Sequence, residues 1–508
     1  MSRINSNVQS LIAQRVLGQN NLSLSKALER LSTGLRINRG KDDPAGLIAS
    51  ENLRSELKAI DAAITNSNRA EQVVNIAEGG LQEISGILTE IQGLITATAN
   101  TAGLSEEERE ANQLQIDSLI QTIDRIASAT SFQGTKLLNG NYAYQVSGVA
   151  AGVADYRINS AKFNQSSLDV NVLVTQSAQQ GGLFLSMGAT TLDLGSGLSF
   201  VIEVGGTLGT RELTFTSSQS LTTIQAAINT FTEVTGVEAV VSGTGLTLHS
   251  SDFGSKEFVS VTVKDDGEIG TANNIGVYNL TSNDFNTVIT GSHTDYDSTE
   301  ALNGIKDDGL DVKATINGIN ATSTGKDIRI NTDFLDVAMT LTTTQSQSLG
   351  NVGSGSAPAF TITGGGADFQ LAANVDIAGK VSIGLMDVAT RNLGTSGFGF
   401  LDDLANGKAL NVVDGDLNAA QKVVDESIQQ ISSLRGRLGA FQKNTIGATI
   451  RSLSISFENT TAAESTIRDA DFAAETAELT RSQILTQSST QILALANQQP
   501  QTVLGLLG

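Results

Sequence analysis

The sequence predicts an α+β multidomain chain: a long antiparallel α-helical coiled-coil bundle drawn from both termini, with a β-rich region inserted between them. Three observations predict it. Apolar residues recur at alternating steps of 3 and 4 from Val74 to Ile95, and the helical period returns after Leu404. Between them the chain breaks into short β-branched runs bounded by Gly, Asn, Asp and Ser.

The central stripe is Val74, Ala77, Leu81, Ile84, Leu88, Ile91 and Ile95, with Glu78, Glu83 and Glu90 off it. So narrow and regular a stripe is a coiled-coil seam, and a seam needs a partner helix. Upstream, Ile4, Val8 and Leu11 begin a weaker seam that Leu24, Leu28, Leu31 and Leu35 continue at steps of 4, 3 and 4, diluted by Asn and Gln. A helix so marginal is ordered only when something packs on it. Gly40 and Pro44 break the period, and a new helix is expected after Asp43, because Pro suits a first turn and acids suit the positive end of the helix dipole. Leu53, Leu57, Ile60 and Ile64 carry its first seam.

Ser105 followed by Glu106, Glu107 and Glu108 reads as a capping box opening a returning helix through Ile116, Leu119, Ile123 and Ile126. From Asn139 the period shortens towards two, with Tyr142, Tyr144 and Val146 alternating, so a hairpin is expected up to about Val174. Segments such as LSFVIEVGG, FVSVTVKDDG and IRINTDF then predict antiparallel strands, with a short helix around Leu221 to Phe231. Beyond Leu404, Val424, Ile428, Ile431 and Leu438 lead into Ile446, Ile450, Leu453 and Phe457. This Val424–Phe457 stretch is the expected partner of the central stripe. A last amphipathic stretch, Leu479 to Leu507, includes Leu485, Ile492 and Leu504 and is interrupted by Pro500. The expected divisions are 1–43, 44–175, 176–400, 401–457 and 458–508.

Composition narrows the function. The net charge of −21 argues against nucleic acid and against anionic membrane surfaces. It is also uneven: residues 176–400 carry −14, residues 1–175 carry −3 and residues 401–508 carry −4. Near-balanced ends can pack on copies of themselves, while the acidic middle prefers water. With no Cys, neither disulfides nor thiolate chemistry is available. The two histidines, His249 and His293, show no ligand spacing, and a Ca²⁺ loop at KDDGEIG lacks the EF-hand pattern. The pairs Asp265–Asp266 and Asp307–Asp308 sit in DDG turns. No catalytic constellation, metal site or cofactor is expected. The first residues lack the pattern of a secretory signal, and no run approaches the roughly 18 apolar residues of a membrane span.

The stretch LERLSTGLRINRGKDDPAGLIASENLRSEL, Leu28 to Leu57, resembles the N-terminal signature of bacterial flagellins, and TSFQGTKLLNG, Thr130 to Gly140, resembles a second one. LGAFQKN, the run Ala462 to Ala477 and ILALANQQPQTVLGLLG are similar to the family's C-terminal region. INGINATSTGKDIRI, Ile316 to Ile330, resembles a small motif of flagellins and hook-associated proteins. The resemblance covers about 1–170 and 404–508. It implies a self-assembling subunit of the extracellular flagellar filament, used for motility. It also implies export in unfolded form by the flagellar type III apparatus with its chaperone, and folding beneath the filament cap next to hook-associated proteins.

On this resemblance residues 1–43 and 458–508 are arms of an inner tube, the bundle forms the next shell, and 176–400 is the outer β-rich region. The diluted seams, Ile4, Val8, Leu11, Leu28, Leu31 and Leu35 at one end and Leu485, Ile492, Leu504 and Leu507 at the other, become polymerisation arms that order against neighbouring subunits. The buried intramolecular seam comprises Val74, Leu81, Ile84, Leu88, Ile91 and Ile95 with Ile431, Leu438, Ile446, Ile450, Leu453 and Phe457.

Immune-stimulating flagellins carry an Arg where LQEISGILTEIQGL places Glu90, with Leu94 just beyond, and the reversed charge implies weaker recognition by the flagellin-sensing Toll-like receptor. The other reading of Glu90 is a solvated position off the seam. Two alternatives share the terminal helices: the hook–filament junction protein, to which Pro44 lends weight because many flagellins have Ala there, and a filament subunit with an adhesive outer domain.

Overall fold

The computed structural model describes residues 6–505 apart from 101, 164–165, 196, 270–273, 282–283 and 356; the side chains of 281, 284–292 and 499–505 also lie outside the description. The helices are α1 Val8–Thr33, α2 Pro44–Thr98, α3 Glu106–Ala129, α4 Leu221–Asn229, α5 Thr232–Thr235, α6 Thr299–Asn303, α7 Thr343–Gln347, α8 Leu417–Ala440, α9 Gly447–Arg468 and α10 Phe472–Gly505. The chain divides into two compact units. The first comprises 1–72, 369–380 and 439–508, and the second 73–368 and 381–438. The division falls inside the 55-residue α2.

In the second unit a three-helix bundle forms around the Val74–Ile95 stripe. All seven stripe residues are at most 2% exposed. The helix α8 runs antiparallel to α2, as the Arg435–Glu78 ion pair (2.8 Å) and the Gln92–Asp425 hydrogen bond (2.6 Å) show. The returning α3 covers the rest of the stripe through Ile116, Ile120 and Ile123, with Asn112 donating to Thr98 Oγ1 (3.0 Å). Its capping box is present as expected, Ser105 and Glu108 each bonding the other's backbone N–H. The stripe therefore has two partners where one was expected.

The buried stripe of α8 is Val424, Ser427, Ile431, Leu434 and Leu438, a 3–4 pattern, while Ile428 stands half-buried beside it. Three polar side chains tie the 390–412 loop onto this bundle. Asp124 accepts from Thr390 N (2.8 Å), Gln430 bonds both backbone groups of Gly394, and the buried Gln113 spans Leu404 O (2.9 Å) and Val412 N (2.8 Å). They satisfy backbone groups that the loop itself leaves open.

The expected hairpin over 139–174 is corrected. The local hairpin is shorter and earlier, pairing Ser131–Phe132 with Thr135–Lys136. The later strands pair far along the chain: Gln145–Ser147 with Phe360–Gly364, Val153–Ala161 with Leu335–Leu341, and Val172–Gln176 with Lys313–Ile316. An alternating pattern states which face of a strand is buried and leaves its partner open, and here burial of a shared core chose distant partners. That core joins Val170, Val172, Ile316, Val337, Leu341 and Phe360. The motif Ile316–Ile330 supplies a tight hairpin to it. Asn317 and Gly318 turn with φ of 50° and 81°, and the Asn317 amide holds Asn171 N (2.8 Å) and Asp169 O (3.1 Å).

A second β core lies between a five-stranded and a four-stranded sheet, closed by α4, which starts at the Ser220 cap. Tyr296 is buried there and its hydroxyl donates to Ser186 O (3.1 Å); burial pushes this phenol well above its ordinary value.

In the first unit, α1 and α10 lie antiparallel. Asn7 donates to Ala496 O (2.7 Å), Asn20 to Ser489 Oγ (2.7 Å) and Arg30 to Glu475 (2.8 Å). Gly34 ends α1 in the left-handed region (φ 74°), and its N–H returns to Arg30 O. The next residues pair with the end of α9, since Arg36 N donates to Arg468 O (2.7 Å) and Ala470 N to Gly34 O (2.9 Å). The first part of α2 opens at Pro44 with Asp43 Oδ1 accepting from Gly46 N (2.9 Å), and runs antiparallel to α9 through Glu51–Arg468 (2.8 Å).

Candidate assembly surface

The α1–α10 pair buries the wrong residues for a free-standing coiled coil. Its contact line consists of Ser10, Ala13 and Ala27 on α1 with Ser482, Ser489 and Ala496 on α10. Small residues let two helices approach closely, and polar pairs such as Ser10 Oγ to Asn497 Oδ1 (2.7 Å) set the register. The large apolar side chains point elsewhere: Leu11 is 62% exposed, Leu22 73% and Ile492 58%, and Val8, Val16, Leu28, Leu485 and Leu495 are also exposed. Single exposed apolar residues need no explanation. Here they recur along the length of both helices.

Of the residues expected in the arms, Val8, Leu11, Leu28, Leu485 and Ile492 are exposed and Leu31 and Leu35 half-buried. Ile4 and Leu507 lie outside the described residues, as does the side chain of Leu504. Of those expected in the intramolecular seam, Val74, Leu81, Ile84, Leu88, Ile91, Ile95, Ile431, Leu438 and Ile446 are buried. Ile450 and Leu453 are half-buried.

Phe457 is a correction: it is exposed, and α9 as a whole buries no residue fully. The steps explain it. Leu438 and Ile446 are eight residues apart, one more than two heptad steps allow, and a π-helical turn at Phe441–Ile446 absorbs the extra residue. Beyond it α9 meets the first part of α2 through polar contacts such as Arg468–Glu51, and Ile455 and Phe457 are left open. Phe457 thus belongs with the exposed row.

Glu90 is exposed on α2 and accepts from Gln115 (3.3 Å), while Leu94 is half-buried. Among the described residues no group of three or more His, Cys, Asp or Glu could hold a metal, and no helix is long and apolar enough to cross a membrane. His293 pairs with Asp295 (3.0 Å) and stacks on Tyr278. Sequence reasoning missed the small-residue contact line of the arms. Its signal was the recurrence of Ser and Ala opposite the apolar positions.

Two family models match the chain: the bacterial flagellin N-terminal helical region over residues 4–143 and the bacterial flagellin C-terminal helical region over residues 421–507. A flagellin of Salmonella rubislaw is 28% identical over 521 residues, covering 99% of each chain. The B-type flagellin of Pseudomonas aeruginosa is 29% identical over 547 residues, again covering 99% of each. Among solved structures, FliC from Burkholderia pseudomallei is 14% identical and covers 74% of this chain and 99% of its own, at a TM-score of 0.22.

Proposed function

The chain belongs to the bacterial flagellin family, a structural subunit of the flagellar filament, and from that premise we propose that the open apolar faces of α1, α9 and α10 are the contacts through which it polymerises. One observation carries the proposal. Most large apolar side chains of the arms are exposed and none in α1 is fully buried, while small residues make the buried contact line of the pair. A contact in which one copy's arm covers a different face of the next copy is heterologous and need not close, which generates a helical filament. Folding of the arms and assembly are then coupled, because marginal helices are ordered by the surface that buries them.

The same reading has the subunit leave the cell through the flagellar export apparatus with a chaperone, and fold at the filament tip against cap and hook-associated proteins. It places the acidic β-rich insert outermost, in water.

Removing residues 1–33 or 472–508 tests the assignment. The expected product is a soluble monomer that unfolds with the same bundle transition and forms no filaments by electron microscopy. Normal filaments from either truncation would overturn it.

A second part of the proposal concerns Glu90, which stands in solvent where immune-stimulating relatives carry an Arg. Its carboxylate weakens recognition by the flagellin-sensing Toll-like receptor. Reporter cells exposed to Glu90→Arg should respond more strongly than to the parent chain; an equal response removes this role.

A further inference from the structure

Within the second unit, a cleft of about 940 Å³ opens over the outer face of a four-stranded sheet. The strands are, in order, Thr322–Thr324, Asp327–Asn331, Leu335–Leu341 and Val153–Ala161. Their other face buries Ile328, Ile330, Val337 and Met339. Register places two rows across the floor. One is Thr322, Arg329, Ala338 and Arg157; the next is Thr324, Asp327, Thr340 and Asp155.

The wall on one side is the loop Asp252–Glu257. Asp311 fixes it, accepting from Ser255 N (3.0 Å), Ser255 Oγ (2.6 Å) and Gly325 N (2.7 Å). The opposite wall includes Phe398, which is 54% exposed, and Gln429 and Ser433 of α8.

Both arginines of this cleft are paired. Arg329 pairs with Asp336 (3.1 Å) and Arg157 with Glu426 (3.0 Å). Asp327 accepts from Thr340 Oγ1 (2.5 Å), and Lys326 lies over the Phe253 ring while donating to Thr343. Lys256 and Lys326 also line the cleft, but its carboxylates outnumber its cations, and the −14 carried by residues 176–400 adds to a field that repels an anion. What remains for a ligand is directional hydrogen bonding: guanidinium N–H groups, carboxylate lone pairs and Thr hydroxyls beside an open aromatic ring. The volume falls in the range of ligand clefts, roughly 300–1,000 Å³.

We propose that this cleft binds a neutral oligosaccharide, its hydroxyls meeting the Arg157–Arg329 and Asp155–Asp327 rows and one ring lying against Phe398. The ligand's many hydroxyls match the donor and acceptor rows, and its lack of charge avoids the field of the insert. This goes beyond filament formation and uses none of the arm residues.

The full-length chain would be screened on an array of neutral and sialylated oligosaccharides, and hits measured by saturation-transfer difference NMR and isothermal titration calorimetry. Neutral glycans should bind, and more tightly than their sialylated counterparts. Phe398→Ala should weaken binding about fivefold, the worth of one aromatic contact. Ala338→Gln, which fills the floor between the two arginines, should abolish it. Circular dichroism checks that each variant keeps its strands; if Ala338→Gln does not fold, Phe398→Ala decides alone. No neutral hit, a preference for sialylated glycans, or binding unchanged in the folded variants would overturn the assignment.

Discussion

The stripe of α2 and the arm helix α1 are written in similar sequence and end in opposite environments. Both repeat apolar residues at steps of 3 and 4. In α2 every member from Val74 to Ile95 is buried by α3 and α8. In α1 no large member is fully buried, Val8, Leu11, Leu22 and Leu28 are exposed, and the helix holds α10 by Ser10, Ala13 and Ala27 instead. Periodicity therefore states that a helix has an apolar side; which chain covers that side is a separate matter. The bundle stripe is covered within one subunit; the arms, on the proposed reading, are covered by another.

Matched substitutions sharpen the contrast, and the largest effect is expected in the bundle. Leu88→Ala should cost about 2–5 kcal/mol of stability in denaturant unfolding, because it opens a cavity between packed helices. Leu22→Ala in the arm should leave monomer unfolding within about 0.5 kcal/mol of the parent, as surface changes do. The same variant should slow or abolish polymerisation followed by light scattering. Equal losses of monomer stability at the two positions would erase the distinction.

A smaller effect is expected on the inner side of the arm pair. Ala13→Leu places a bulky group where the helices approach closely, at a cost of about 1–3 kcal/mol. Faster proteolysis of the arms, with the bundle transition unmoved, would report it.

The smallest effect lies in the insert, at the Asp311 contact that holds the Ser255 loop against Gly325. Burial pushes the Asp311 carboxyl up, but hydrogen bonds from Ser255 and Gly325 outweigh it and hold the group below its ordinary value of 3.8. A carboxyl lowered in the folded state contributes stability that is present above 3.8 and lost as pH falls through the folded value. Asp311→Asn should thus lower the melting temperature of the insert slightly at neutral pH, and the difference from the parent should vanish in strong acid. A difference that persists unchanged into acid would show that the contact does not depend on the charge.

Much of the helical architecture was legible. The Val74–Ile95 stripe, the Ser105 capping box and the start of α2 at Pro44 rest on local chemistry, and local chemistry is written in neighbouring residues. The short helix α4 was legible for the same reason. The pairing of the strand Val153–Ala161 with Leu335–Leu341 was not, because nothing near residue 153 encodes a partner almost two hundred residues away. Nor was the exposure of Phe457. It depends on a π turn that makes sense only once Leu438 and Ile446 are both seen buried.

By itself the sequence determined which long segments are helical, that the acidic middle of the chain is β-rich, and that both ends carry apolar stripes. Those properties follow from period, capping and charge, each a matter of residues within a few turns of one another. Only the tertiary structure decided that small residues join the arms while many large side chains stay open, and that a four-stranded sheet, a loop and part of α8 line a cleft. The reason is physical: burial and strand pairing are settled by competition among all surfaces of the chain, and a stripe or a strand edge does not name its winner in advance.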